Sequence, residues 1–284
     1  MKLVVRMKIG AHISIRNGYF GAAKFAKTIG ASVFQYFPKN PRSLTVKEFD
    51  EVDAKNCMQY CQENSLESVA HAPYPSNLAA TDKEREKVIL SILNDLQIAE
   101  TCGSIGVVVH FASIKNVSDP LEGYKRMIDI LNEVLHRWDG KCQILIENNA
   151  GKSGPMGTTL EELVQIRSLT EHPNKIGFCF DTCHGFASGL WNGENWEDVV
   201  GKGKELGYFN HLKAIHFNNS MYDTGSMRDR HANIHNGYIT TKQMEKFLSS
   251  SIIQEIPLIL ETPTSENYTH SDEIKYIVNQ LIKQ

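Results

Sequence analysis

Six short apolar runs in this chain each end on a side chain that can hold a metal ion. His71 closes Ser68-Val69-Ala70, His110 follows Val107-Val108-Val109, and Glu147 follows Ile144-Leu145-Ile146. Asp181 ends Phe178-Cys179-Phe180, His216 ends Lys213-Ala214-Ile215, and Glu261 ends Leu258-Ile259-Leu260. An imidazole or carboxylate behind such a run is a buried polar group that needs a partner. Any one could be a satisfied core residue, but six in corresponding positions point to a shared partner. Two further motifs add to them. Asp181-x-x-His184 turns from a strand into a helix, so His184 can swing back over the same opening. Asp229-x-His231 puts two ligand types on alternate residues of an extended segment, where they point the same way. The inventory is five imidazoles and four carboxylates. Such a mixed nitrogen and oxygen set suits Zn²⁺, and also Mn²⁺ or Fe²⁺, better than Ca²⁺ or Mg²⁺. Nine ligands exceed the need of one ion but serve three, with one bridging carboxylate and water in the open positions. Metals a few ångströms apart activate water and stabilise the leaving oxygen of a displacement at phosphorus.

These side chains need a frame that brings strand ends together. Candidate strands at Lys8–Ser14, Ser32–Tyr36, Ser68–Ala72, Gly106–Phe111, Gln143–Glu147, Lys175–Asp181, Leu212–Phe217 and Pro257–Glu261 alternate with helical stretches. The helices are expected at Gly21–Ile29, Val46–Glu63, Asp82–Cys102, Leu121–Trp138, Leu160–Leu169, Trp196–Leu206, Thr241–Leu248 and Ser271–Lys283. Continuous apolar runs bounded by helices read as parallel strands buried on both faces. The pattern predicts an α/β fold, a single (β/α)₈ TIM barrel with its active site at the C-terminal ends of the strands. The open doubly wound alternative carries a Gly-rich phosphate turn after its first strand. Here that turn reads Gly10-Ala11-His12-Ile13-Ser14, without the pattern.

The 284 residues, with 41% hydrophobic and 22% charged, are those of one ordinary globular domain spanning 1–284. No signal-peptide pattern and no apolar run of membrane-spanning length is evident. Six scattered cysteines without a C-x-x-C pair predict reduced thiols and an intracellular protein, cytoplasm and nucleus not being distinguished. A net charge of −3 excludes a globally basic nucleic-acid binder, but not an enzyme whose metals supply the positive charge. Local cations, Lys39, Arg42, Lys152, Arg228 and Arg230, are then the candidate phosphate contacts.

At these residues the chain resembles the endonuclease IV family of apurinic/apyrimidinic endonucleases. The resemblance runs from Gly10-Ala11-His12 to Leu258-Ile259-Leu260-Glu261-Thr262 and makes residues 1–6 an extension. It is most specific in Asp181-Thr182-Cys183-His184-Gly185-Phe186-Ala187-Ser188-Gly189, His216-Phe217-Asn218 and Gly225-Ser226-x-x-Asp229-Arg230-His231. It implies a monomeric enzyme with three zinc ions that cuts duplex DNA 5′ to an abasic site and leaves a 3′ hydroxyl, with 3′-blocked ends as further substrates. His71, His110 and Glu147 would hold one zinc. Glu147 would bridge to a second, held by Asp181, His216 and Glu261, and His184, Asp229 and His231 would hold the third. Glu261 and Glu147 would be the catalytic carboxylates, Glu261 orienting the attacking water. Arg42 and Tyr74 match the loop residues that the family inserts into the duplex to stabilise a flipped-out nucleotide. Two departures put lesion range and DNA grip in question: Pro75-Ser76 after Tyr74, and His235-Asn236-Gly237 in place of an acidic Gly-rich turn. A sugar isomerase or epimerase of the same architecture would need only Glu147, Asp181, His216 and Glu261 around one ion. A noncatalytic binder of damaged DNA is the reading from outside the enzymes.

Overall fold

The computed structural model describes residues 7–114 and 120–282. Residues 1–6 and Lys283, on which expectations had fallen, lie outside them. Eight parallel strands close into a barrel: β1 (Ile9–His12), β2 (Val33–Tyr36), β3 (Glu67–His71), β4 (Gly106–His110), β5 (Gln143–Glu147), β6 (Ile176–Asp181), β7 (Leu212–His216) and, after a detour, β10 (Leu258–Leu260). β10 pairs with both β7 and β1. The detour carries a small antiparallel ribbon, β8 (Asn219–Ser220) against β9 (His231–Ala232). Around the barrel run α1 (Gly18–Thr28), α2 (Glu51–Glu63), α3 (Asp82–Thr101), α4 (Pro120–Arg137), α5 (Leu160–Leu169), α6 (Thr182–Ser188), α7 (Trp196–Glu205), α8 (Thr241–Leu248) and α9 (His270–Tyr276).

The helix boundaries depart furthest from expectation at α2 and at the last helix. α2 starts at Glu51 rather than Val46, because Asp50 takes the N-cap and its carboxylate accepts from the backbone N–H of Val52 and Asp53. The last helix begins at His270 and passes at Ile277 into a π-helical turn. α6 is a separate short helix between β6 and α7, capped by Asp181 itself.

One ring of side chains explains why the site sits where it does. Val33, Val69, Val108, Leu145, Cys179, Ala214 and Ile259, one from each of seven strands, form an apolar cluster distinct from the larger core beneath the helices. Two residues further along each of those chains stand Gln35, His71, His110, Glu147, Asp181, His216 and Glu261. Residues i and i+2 of an extended segment share a face, so the polar set forms the next layer above the apolar plug. On the eighth strand, Gly10 occupies the plug level and His12 the upper one. A Cβ on Gly10 would lie 1.5 Å from the Val33 carbonyl oxygen, so only glycine permits this close pairing of β1 with β2. All six cysteines are buried and free.

Candidate metal centre

The structure brings all nine expected ligands together at the C-terminal mouth of the barrel. Their ligand atoms fall into overlapping groups within 4.8 Å of one another: His71, His110 and Glu147; Glu147, Asp181, His216 and Glu261; and His184, Asp229 and His231. Glu147, fully buried, joins the first two groups. Its Oε1 lies 3.0 Å from His216 Nδ1, and its Oε2 lies 3.5 Å from His71 Nε2 and 3.2 Å from His110 Nε2. His184 Nε2 and His231 Nε2 lie 3.3 and 3.5 Å from Asp229 Oδ1.

Ring orientations follow from what each imidazole touches on its far side. His71 Nδ1 donates to the Ala72 carbonyl at 2.8 Å, His184 Nδ1 to the Asn148 carbonyl at 2.9 Å, and His231 Nδ1 to the Glu261 carbonyl at 3.3 Å. In each ring Nδ1 therefore carries a proton, and Nε2, facing the carboxylates, is the nitrogen left to bind a cation once it is unprotonated. A lone pair aimed at carboxylate oxygens is repulsive unless a cation lies between them. Two buried atoms register that vacancy of partners: Glu147 Oε2 and His231 Nε2 make no hydrogen bond. The donor set thus fits divalent metal, as the sequence led one to expect.

Electrostatics agree. Burial raises the Glu147 and Glu261 carboxyls, but His216 heads the neighbours that outweigh it, holding Glu147 well below the usual carboxylate range and Glu261 at about 2. Burial also raises Asp229, and His184 outweighs it in turn. Burial lowers the imidazoles; Glu147 overrides this for His110, Asp181 for His184, and Cys179 with Glu261 for His216, so all three are raised.

Asparagines one or two residues beyond the ligands brace them. Asn148 Oδ1 accepts from Asp181 N–H at 2.7 Å, while Asn218 donates to Asp181 Oδ2 at 2.8 Å and accepts from Glu261 N–H at 2.8 Å. Asp181 Oδ1 accepts from His184 N–H at 2.7 Å, so one carboxylate caps α6 while its other oxygen faces the site. Sequence reading singled out neither asparagine for this role, nor Gln35 and His12. The available signal was their position, next to or level with a ligand at a strand end.

The expected DNA contacts divide. Arg42, Tyr74, Lys152, Arg228 and Arg230 are exposed, with Tyr74 at 63%. Tyr74 N–H donates to the Pro41 carbonyl at 2.9 Å, which ties the Tyr74 loop to the Arg42 loop. Arg228 lies over the Tyr222 ring, 4.6 Å from its centre. Lys39 is a correction. Its side chain is 2% exposed, with its ammonium 3.0 Å from buried Asp95 of α3 and donating to the Ser91 carbonyl at 2.6 Å. It cannot reach a phosphate; it pins the Arg42 loop to the barrel. Burial pushes the Asp95 carboxyl up to about 7 although Lys39 pulls it down. Lys39→Ala should therefore cost about 3–5 kcal/mol of stability by stranding a buried charge. The loss should be largest above pH 7 and shrink as pH falls and Asp95 takes up a proton, which thermal melts across pH would read. Of the two departures, His235 packs on the Tyr268 and Tyr276 rings, at 4.5 and 5.9 Å between centres. Ser76 N–H donates to the Pro73 carbonyl at 2.9 Å, turning the chain directly beyond Tyr74.

A closed parallel barrel with ligands at its strand ends defines a metal-site protein of the xylose isomerase-like TIM barrel class, whose family model matches residues 23–280. Within that class, the chain is 41% identical to a probable endonuclease 4 of Symbiobacterium thermophilum, over 95% of this chain and 98% of the relative. The crystal structure of endonuclease IV from Thermus thermophilus superposes with a TM-score of 0.80 at 28% identity, covering 92% of this chain and 94% of that one. The chain belongs to the endonuclease IV family. A D-tagatose 3-epimerase-like protein, 20% identical with a TM-score of 0.66 over 95% of this chain and 94% of that one, shares the fold alone.

Proposed function

We propose that this protein cuts duplex DNA 5′ to abasic sites, leaving a 3′ hydroxyl, with three divalent ions, zinc by ligand type, held in the three clusters. Its activity as an apurinic/apyrimidinic endonuclease of DNA repair follows from its family. The observation that carries the rest is the third cluster. His184, Asp229 and His231 lie outside the four-ligand set that a sugar isomerase needs, yet line the same cavity of about 410 Å³ as His71, His110 and Glu261.

When bound, the ions supply an activated water and neutralise charge on the scissile phosphate. His71, His110 and Glu147 would hold the first; Glu147, Asp181, His216 and Glu261 the second; His184, Asp229 and His231 the third. Glu261 lines the cavity in its ionised form and would orient the attacking water. Tyr74 and Arg42, on loops joined to each other, would enter the duplex and support the extruded nucleotide. Arg228, Arg230 and Lys152 would contact phosphates, so affinity falls as salt rises. We further propose a single-domain, intracellular enzyme that acts as a monomer and also trims 3′-blocked ends. No helix among the described residues is long and apolar enough to cross a membrane.

The deciding experiment uses a labelled duplex containing one tetrahydrofuran abasic analogue, which resists β-elimination. A chelator-sensitive cut on its 5′ side with a 3′ hydroxyl supports the reading. No cut by protein shown to carry its metals, together with ketose–aldose interconversion, would transfer it to the sugar isomerases. Tyr74→Ala is expected to weaken abasic-duplex binding by about 1–3 kcal/mol and intact-duplex binding far less, as titrations of both would read; equal losses would reject a lesion-specific role.

A further inference from the structure

Four of the five site imidazoles have their far nitrogen engaged, and three of the four use backbone carbonyls. The fourth, His216, relies on a side chain: its Nε2 lies 2.7 Å from Gln35 Oε1. The identity of the amide atoms is set by chemistry. Gln35 Nε2 lies 2.7 Å from Glu261 Oε1, and an ionised carboxylate can only accept, so the NH₂ must face it. The Gln35 carbonyl therefore faces His216, and His216 Nε2 must carry the proton. That leaves the lone pair on Nδ1, which points among Glu147 Oε1 at 3.0 Å, Glu261 Oε2 at 3.2 Å and Asp181 Oδ2 at 3.8 Å. The same amide nitrogen lies 3.1 Å from His12 Nδ1, so both of its protons have acceptors. Gln35 itself is fully buried at the ligand level of β2, the one strand besides β1 that offers no expected ligand.

We propose that Gln35 is a positioning residue of the metal centre, which selects the Nδ1-ligating tautomer of His216 and locks it to Glu261, its neighbour in the same four-ligand cluster. The proposal rests on the metal-centre reading given above. A single amide thus orients an imidazole and a carboxylate contributed by two different strands, while His71, His184 and His231 are oriented by main-chain carbonyls. Hydrogen bonds of this kind behind a metal-binding histidine typically change affinity by about 10–100-fold.

The test compares the wild type with Gln35→Met, which keeps the side chain's length and removes both hydrogen bonds. Zinc stoichiometry and affinity are read by competition with a chromophoric chelator, and far-UV circular dichroism and melting of the metal-free proteins check folding. We expect an affinity loss of about 10–100-fold for one zinc of the set, with the remaining ions held as in the wild type. Wild-type affinity for every ion in Gln35→Met would overturn the proposal. Should the variant fail to fold, long-range ¹H–¹⁵N spectra of the zinc-loaded wild type decide. A proton on His216 Nε2 with Nδ1 on the metal supports the proposal, and the opposite arrangement sinks it. A wild type that binds no zinc would instead sink the metal-centre reading.

Discussion

Glu261→Gln is expected to lower cleavage of an abasic duplex by at least about 10²–10⁴-fold while leaving affinity for that duplex nearly intact. The substitution keeps the shape of the side chain and removes its charge. In the native site Oε1 accepts from Gln35, and Oε2 lies 3.2 Å from His216 Nδ1, facing the cavity. An amide there would present a donor to one side or the other. Facing the cavity, it would repel a cation and could not accept a proton from water. Facing Gln35, it would place two NH₂ groups against each other. DNA affinity is set by groups at the rim and by phosphates, so it should survive. Metal content must be measured beside turnover, because lost occupancy would mimic lost chemistry. Near-normal turnover in fully loaded Glu261→Gln protein would reject its proposed role.

Removing the metals should stop cleavage and lower the melting temperature. Glu147, Asp181, Asp229 and Glu261 are crowded into one mouth, three of them buried or nearly so. A ligand that binds only the folded chain contributes about 4 kcal/mol when present at 1,000 times its dissociation constant. The effect should depend on pH with a fixed sign. In the metal-free protein the His110, His184 and His216 imidazoles are raised by their carboxylate and thiol neighbours, which favours their protonated forms. Each must lose its proton to bind metal, so metal uptake releases protons and affinity falls as pH drops. Calorimetry in buffers of different ionisation enthalpy measures that release. An uptake heat independent of buffer would contradict protonation of these imidazoles in the metal-free protein.

The barrel was legible because its strands are apolar runs of the right length between helices, and β5 matches its expected bounds of Gln143–Glu147. Of the nine candidate ligands, His184, Asp229 and His231 showed only through their motifs. The other six were legible for a related reason: an imidazole or carboxylate ending such a run is conspicuous. Gln35 was not, since Val33-Phe34-Gln35-Tyr36 continues past it and a parallel strand buried on both faces hides which residues point inward. Only the plug ring reveals that Gln35 stands two residues beyond Val33. Lys39 misled for the opposite reason. Pro38-Lys39-Asn40-Pro41-Arg42 reads as an exposed basic loop, and nothing local betrays that Asp95, a whole helix away in sequence, takes the ammonium inside. The ribbon of β8 and β9 is two residues long on each side, too short for any periodicity to announce it.

That ribbon gives the three clusters unequal footing. The second cluster hangs almost wholly on the barrel wall, on β5, β6, β7 and the residue after β10. The third takes His184 from the short α6, and Asp229 and His231 from the β8–β9 excursion, with the Asp229 side chain 41% exposed. Opening a surface excursion costs less than parting barrel strands, since local openings range from near zero up to the full unfolding free energy. Ion exchange should accordingly follow a hierarchy of lability, the third cluster turning over its metal fastest and the wall-held cluster slowest. A cell short of metal would then dim this enzyme reversibly from one corner, leaving a folded barrel ready to be recharged.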